Sequence, residues 1–217
     1  MKKNYTELVF ILDRSGSMAG LEKDTIGGYN ALLEKQKKEK GKARITTVLF
    51  DDRYELLHKI IPLKEVLPLT QEEYYVRGST ALLDAVGLTI SEMIRVHKSE
   101  KPEDKPDKVL FVITTDGYEN ASREFTKAKV KRLIETQKEK YGWEFLFLGA
   151  NIDAEEAAEQ YGISRDHAVT YHADEEGTRL NYAVISEAVS NVRKNNIMDP
   201  NWKKKIEEDF EKRKKQP

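Results

Sequence analysis

The chain has 217 residues, with 37 basic and 38 acidic side chains, a formal net charge of -1 and no cysteine. That length suits one domain, or one domain with a tail, and is enough to bury a substantial core. The lack of cysteine excludes a disulfide scaffold, a thiolate zinc site and a catalytic thiol, and fits a reducing compartment, while the near-zero charge balance provides no global field to steer nucleic acid.

The sequence opens MKKNYTELVFILD. Its apolar run is too short for a signal-peptide core, Asp13 ends it, and no small-residue cleavage site follows. The run therefore reads as a buried first strand, Leu8 to Leu12, and the protein as cytoplasmic. No stretch approaches the roughly 18 apolar residues that a membrane span needs. A helical pattern follows over Leu21 to Lys38, with apolar residues at Leu21, Ile26, Tyr29, Leu32 and Leu33. ITTVLF (Ile45 to Phe50) is a second strand. After the polar break Asp51-Asp52, a further strand spans Arg53 to Pro62. So short a gap permits a hairpin and not a crossover, which places this strand antiparallel at a sheet edge.

Leu82 to His97 reads as the second large helix, and the hydrophilic stretch Lys98 to Lys108 as a surface loop. Then come strand VLFVIT (Val109 to Thr114), helix Thr126 to Tyr141, strand EFLFLG (Glu144 to Gly149), helix Asp153 to Tyr161, strand HAVTYHA (His167 to Ala173) and helix Thr178 to Lys194. Most strands are short apolar runs without alternation, the pattern of parallel strands covered on both faces. The expected class is α/β. It is a doubly wound, Rossmann-like sheet of six strands, mostly parallel, with one antiparallel edge strand and helices on both faces. Residues 1–197 form the expected domain, and 198–217 a polar C-terminal helix or tail.

In open α/β sheets the ligand crevice lies beyond the carboxyl ends of the strands. Asp13-Arg14-Ser15-Gly16-Ser17 follows the first strand, Thr115-Asp116-Gly117-Tyr118-Glu119-Asn120 follows VLFVIT, and Arg77-Gly78-Ser79-Thr80 opens the second large helix. Carboxylates and hydroxyls thus gather on one rim. Oxygen-only ligands suit a hard cation such as Mg²⁺ or Mn²⁺ better than zinc or copper. Asp13, Ser15 and Ser17 alternate along a short loop and can converge on one point. Thr80 stands at a helix mouth whose N–H groups are expected to face the crevice. Asp116 arrives from the neighbouring strand.

These residues resemble the metal-ion-dependent adhesion site of von Willebrand factor type A domains. DRSGS matches that site's D-x-S-x-S, and Thr80 in GSTALLDA and Asp116 in TTDGYEN match its second and third segments in order. The resemblance covers about residues 5 to 195. It implies a sheet of order 3-2-1-4-5-6 with the third strand antiparallel. It also implies Asp13, Ser15, Ser17, Thr80 and Asp116 as ligands, direct or through water, of Mg²⁺ or Mn²⁺. The implied function is a divalent-metal-dependent protein-binding module, whose ion is completed by an acidic residue of the partner.

Other chemistries fit less well. A metal-dependent phosphoesterase or hydrolase using the same ion is the alternative. However, a haloacid-dehalogenase-like nucleophile needs a second Asp where Ser15 stands, and there is no G-x-S-x-G elbow. His58, His97, His167 and His172 read as structural or solvent-exposed, so no catalytic constellation is expected. Phosphate-binding glycine motifs are missing. The basic run Lys35 to Arg44 lacks interleaved aromatics and reads as a solvated helix end, not a nucleic-acid surface. Asp51 and Asp52 read as a hairpin turn, Asp153 as a helix N-cap, and Asn151 as a rim residue that either lines the site or does not.

Overall fold

The computed structural model describes residues 4–214. Strands β1 (Tyr5–Asp13), β2 (Lys42–Phe50), β3 (Tyr54–Pro62), β4 (Lys108–Thr115), β5 (Glu144–Ala150) and β6 (Ala168–Tyr171) form one sheet of order β3-β2-β1-β4-β5-β6. β2 and β3 pair antiparallel, and every other neighbouring pair is parallel. The helices are α1 (Glu22–Lys38), α2 (Leu82–Ser99), α3 (Lys127–Tyr141), α4 (Ala154–Gln160), α5 (Glu175–Asn195) and α6 (Lys204–Lys214).

All nine residues of β1 are buried because both sheet faces are covered. Leu8, Phe10 and Leu12 enter the core beneath α1, α5 and α6, whereas Val9 and Ile11 enter the core beneath α2, α3 and α4. This two-sided burial explains why the strands read as continuous apolar runs. Only β3 is largely half-exposed. Its register slips between Ile45 and Thr47 and again between Thr47 and Val48. Ile60 there has a φ of 53°, a conformation that a β-branched side chain seldom adopts. Bulges of this kind twist an edge strand away from edge-to-edge pairing.

Element ends shift by up to three residues from expectation, and two of the shifts have a visible cause. The strand expected over His167 to Ala173 shortens to Ala168–Tyr171. His167 belongs to a tight turn, and His172 leaves the sheet to stack on Phe210 with ring centroids 4.5 Å apart. The helix expected from Thr178 begins at Glu175, where the Asp174 side chain accepts the Gly177 N–H at 2.7 Å. That cap satisfies an amide that would otherwise lack a helical partner.

The polar stretch after residue 197 is helical over α6 and is packed down, since Trp202 and Ile206 lie in the main core. At the amino end of the sheet, buried Glu7 receives Arg44 Nε at 2.9 Å, and His97 Nε2 lies 2.5 Å from its other oxygen. His97 is thus part of a structural ion network. Among the described residues, no helix is long and apolar enough to cross a membrane.

Candidate metal centre

β1 and β4 are neighbours in the sheet, so Asp13 and Asp116 emerge side by side at its carboxyl end. Immediately after β1 the backbone folds back, with the Ser15 N–H donating to Asp13 Oδ1 at 2.7 Å. A single tight turn, Gly16–Met18, then carries Ser17 forward. The Gly16 N–H donates to the Gly78 carbonyl at 3.0 Å, which ties this loop to the segment before α2. Gly78 has a φ of 66°, and a Cβ there would lie 2.3 Å from Asp52 Oδ1, so only glycine fits.

The five sequence-predicted residues meet. Ser15 Oγ lies 3.1 Å from Ser17 Oγ, and Thr80 Oγ1 donates to Ser15 Oγ at 3.0 Å. The Ser17 hydroxyl donates to Asp116 Oδ1 at 2.5 Å. Thr115, which the sequence reading passed over, donates its hydroxyl to Asp13 Oδ2 at 2.6 Å. Its place as the last residue of β4, beside Asp116, was the available signal. Gly117 forms part of the wall, because a Cβ on it would sit 3.4 Å from Ser17 Oγ and 3.7 Å from Thr80 Oγ1.

Two carboxyls meet in this cluster, both largely withdrawn from solvent. Asp13, Ser15, Thr80 and Asp116 are each at most 3% exposed, while Ser17 stands at the surface. The expected rim is therefore a buried cluster with Ser17 at its surface. Burial pushes Asp13 up to about 6, against hydrogen bonds from Ser15 and Thr115 that favour its anion. Burial also raises Asp116, against the Ser17 hydrogen bond. Asp116 Oδ2 is buried and has no hydrogen-bond partner. A buried carboxylate oxygen of this kind is costly unless something binds it. The donor set of two carboxylates and three hydroxyls is all oxygen, as a hard divalent cation requires. Among the described residues, no group of three or more His, Cys, Asp or Glu is placed to hold an ion. Any site here must draw on hydroxyls.

Two expectations about the surroundings change, and the open reading of Asn151 closes. The α2 amides do not face the crevice. The Leu83 N–H donates to Glu119 Oε2 at 2.8 Å, the Asp84 N–H to Ser122 Oγ at 3.0 Å, and the Thr80 N–H to Asn120 Oδ1 at 2.9 Å. The loop after Asp116 wraps the helix start and consumes its donors. Asp51 is more than a turn residue. Fully buried, it accepts Arg14 Nε at 3.0 Å and Arg77 Nε at 2.6 Å. Asn151 is exposed with a φ of 55°, which marks a turn position and gives it no bond to the cluster. Asp153 caps α4 as expected, accepting the Glu156 N–H at 2.9 Å.

No protein-family model and no curated protein matches the chain. Solved structures do. A von Willebrand factor type A from Catenulispora acidiphila matches over 86% of this chain and 42% of its own, at 13% identity and a TM-score of 0.55. The chain has the von Willebrand factor type A fold. Proximal thread matrix protein 1 from the mussel byssus, solved with a zinc-occupied MIDAS motif, matches this fold over 86% of the chain and 46% of its own, at 14% identity and a TM-score of 0.59. Manganese-loaded TRAP protein of Plasmodium vivax matches over 83% of the chain and 73% of its own, at 13% identity and a TM-score of 0.57. This von Willebrand factor type A fold thus spans less than half the length of the Catenulispora and mussel chains.

Proposed function

We propose that the chain is a divalent-metal-dependent protein-binding module. In this reading Asp13, Ser15, Ser17, Thr80 and Asp116 hold Mg²⁺ or Mn²⁺, directly or through water, and a partner's Asp or Glu completes the ion. One observation carries it: Asp116 Oδ2, buried and unpartnered, sits in a cluster whose remaining donors are carboxylate and hydroxyl oxygens. A bound divalent ion would supply the positive charge that this pocket lacks and an acceptor position for an outside anion. Hydrogen bonds among these residues support the reading. Thr115 and the Ser15 amide orient Asp13, and the Ser17 hydroxyl orients Asp116. Thr80 orients Ser15. Solved proteins of similar fold carry zinc in a MIDAS motif or manganese, which supports the metal reading.

Hydroxyls are neutral, so the two carboxylates at most balance a divalent charge, and an anionic oxygen is the favoured extra ligand. The cysteine-free sequence suits the cytoplasm. The test is calorimetry with Mn²⁺ and Mg²⁺, together with affinity capture in EDTA and in metal. Wild type should bind the ion and retain its partner only when metal is present, and Asp13→Ala should lose both. Equal partner capture in EDTA and in Mg²⁺ would reject the reading. Metal-stimulated hydrolysis of a phosphate monoester would favour an enzyme instead.

A further inference from the structure

Arg14 lies between two residues of the site, Asp13 and Ser15, yet it is fully buried. A buried guanidinium inside a loop that is to hold a cation is a physical conflict. Every polar atom of this arginine is engaged. Nε donates to Asp51 at 3.0 Å, Nη1 to the Glu73 carbonyl at 2.9 Å and Nη2 to Glu55 at 2.6 Å. The Tyr75 ring covers it, with the guanidinium carbon 5.0 Å from the centroid. A second guanidinium, Arg77, reaches the same Asp51 oxygen at 2.6 Å.

The backbone of this group is tied as well, through Asp51 on one side and Arg14 on the other. The Asp51 carbonyl accepts the Ala81 N–H at 2.8 Å, next to Thr80, and the Arg77 N–H donates to the Arg14 carbonyl at 3.0 Å. The group therefore links the segment carrying Ser15 and Ser17 to the segment carrying Thr80. In its ion pairs the formal charges of Arg14 and Arg77 cancel those of Asp51 and Glu55.

We infer that Asp51 is the positioning residue and counter-ion of the metal centre: it neutralises the buried cation Arg14 and the half-buried Arg77 and so sets the affinity of the neighbouring site for a divalent ion. The inference rests on the metal-site reading above. Without the Asp51 charge, the network would carry a net positive charge on the residue that joins Asp13 to Ser15, and affinity for a cation would fall.

Calorimetric titration with Mn²⁺ tests this in wild type and in the Asp13→Ala, Asp51→Asn, Arg14→Gln/Asp51→Asn and Arg77→Met variants. Loss of a partner bonded directly to a ligand typically weakens metal binding about ten- to hundredfold; Asp51 acts one residue further out, so the low end, about tenfold, is the loss expected for Asp51→Asn. The double variant restores charge balance and should recover most of that loss, although it removes more hydrogen bonds. Arg77 is only half-buried. Its replacement by Met leaves the fold intact and a surplus negative charge, and it should tighten binding roughly two- to fivefold. A merely structural bracing role predicts the reverse in both cases, with the double variant no better than the single and Arg77→Met weaker. Either of those results, or Asp51→Asn binding like wild type, overturns the inference. If wild type and Asp13→Ala bind Mn²⁺ equally, the metal reading itself fails and takes this inference with it. Should Asp51→Asn not fold, Arg77→Met decides alone.

Discussion

Asp13 combines a buried carboxyl with two donors that favour its anion, and burial wins, raising it from 3.8 to about 6. The folded chain therefore holds this proton more tightly than the unfolded chain does. Its contribution to stability in the metal-free protein is full below the ordinary value near 3.8 and is lost as pH rises through about 6. Asp13→Asn removes that penalty while keeping an acceptor for Ser15 and gaining a donor for Thr115. In EDTA at pH 7.5 the variant should be more stable than wild type by about 1–3 kcal/mol, and the difference should vanish near pH 4. Added Mn²⁺ should reverse the order by stabilising wild type alone. Urea unfolding under the three conditions checks this, and a variant less stable than wild type in EDTA at pH 7.5 would refute it. That Asp13, Ser15, Ser17, Thr80 and Asp116 come together was legible in the sequence because each lies at or just beyond a strand end or just before a helix. Asp51 was not, because a pair of acids in a hairpin gap looks like ordinary turn chemistry. Only the fold shows that both Arg14 and Arg77 turn toward one of them. Depth was also hidden, since a residue's position after a strand does not reveal that later loops close over it.

At the scale of elements, helix α2 shows how one loop supports the site from behind. Its N-cap position is Ala81, which has no side-chain acceptor. Glu119 does that work from 36 residues away, accepting the Leu83 N–H at 2.8 Å while its other oxygen holds Ala121 and Ser122 at 2.9 and 2.7 Å. Asp84 returns the favour, accepting the amides of Arg123, Glu124 and Phe125. The helix start and the loop after Asp116 are thus one hydrogen-bonded unit, with Thr80 and Asp116 at its two ends. Glu119→Ala should lower the urea stability by about 1–2 kcal/mol, the usual cost of a lost cap. It should also weaken Mn²⁺ binding, although Glu119 is not a proposed ligand. A stability loss with unchanged metal affinity would show that the cap and the site are independent. The strands and large helices themselves were readable from their runs and periods, with ends moved by a few residues. The cap was not, because a local rule looks for the acceptor next to the helix, and here tertiary contact supplies it.

For the whole molecule, the sheet has two edges, and they are protected differently. β3 is bulged where it faces Ile45 to Val48. β6 is only four residues long and is covered by what comes last in the chain. The Lys203 ammonium donates to the Ala168 and Arg165 carbonyls, each at 2.9 Å, and Trp202 Nε1 donates to the Asp166 carbonyl at 2.8 Å. Behind them Ile206 is buried, and the Phe210 ring stacks on His172. Composition hid this arrangement. Residues 199–217 are mostly charged, and the few apolar side chains among them sit four apart at Trp202, Ile206 and Phe210, one narrow stripe on a polar helix. If that stripe holds the edge, Trp202→Ala should cost about 3–5 kcal/mol, the range for emptying a buried aromatic site. Deleting residues 199–217 should cost at least as much and expose β6 to pairing between chains, seen as higher-order species in light scattering. A tail that merely trails from the domain predicts otherwise: both changes would leave the urea midpoint where it was and the protein monodisperse. Because β6 stands two strands from Asp116 across β5, the same deletion also separates global support from local geometry. Mn²⁺ affinity measured below the unfolding transition should fall little, even as the range of urea over which the site exists contracts.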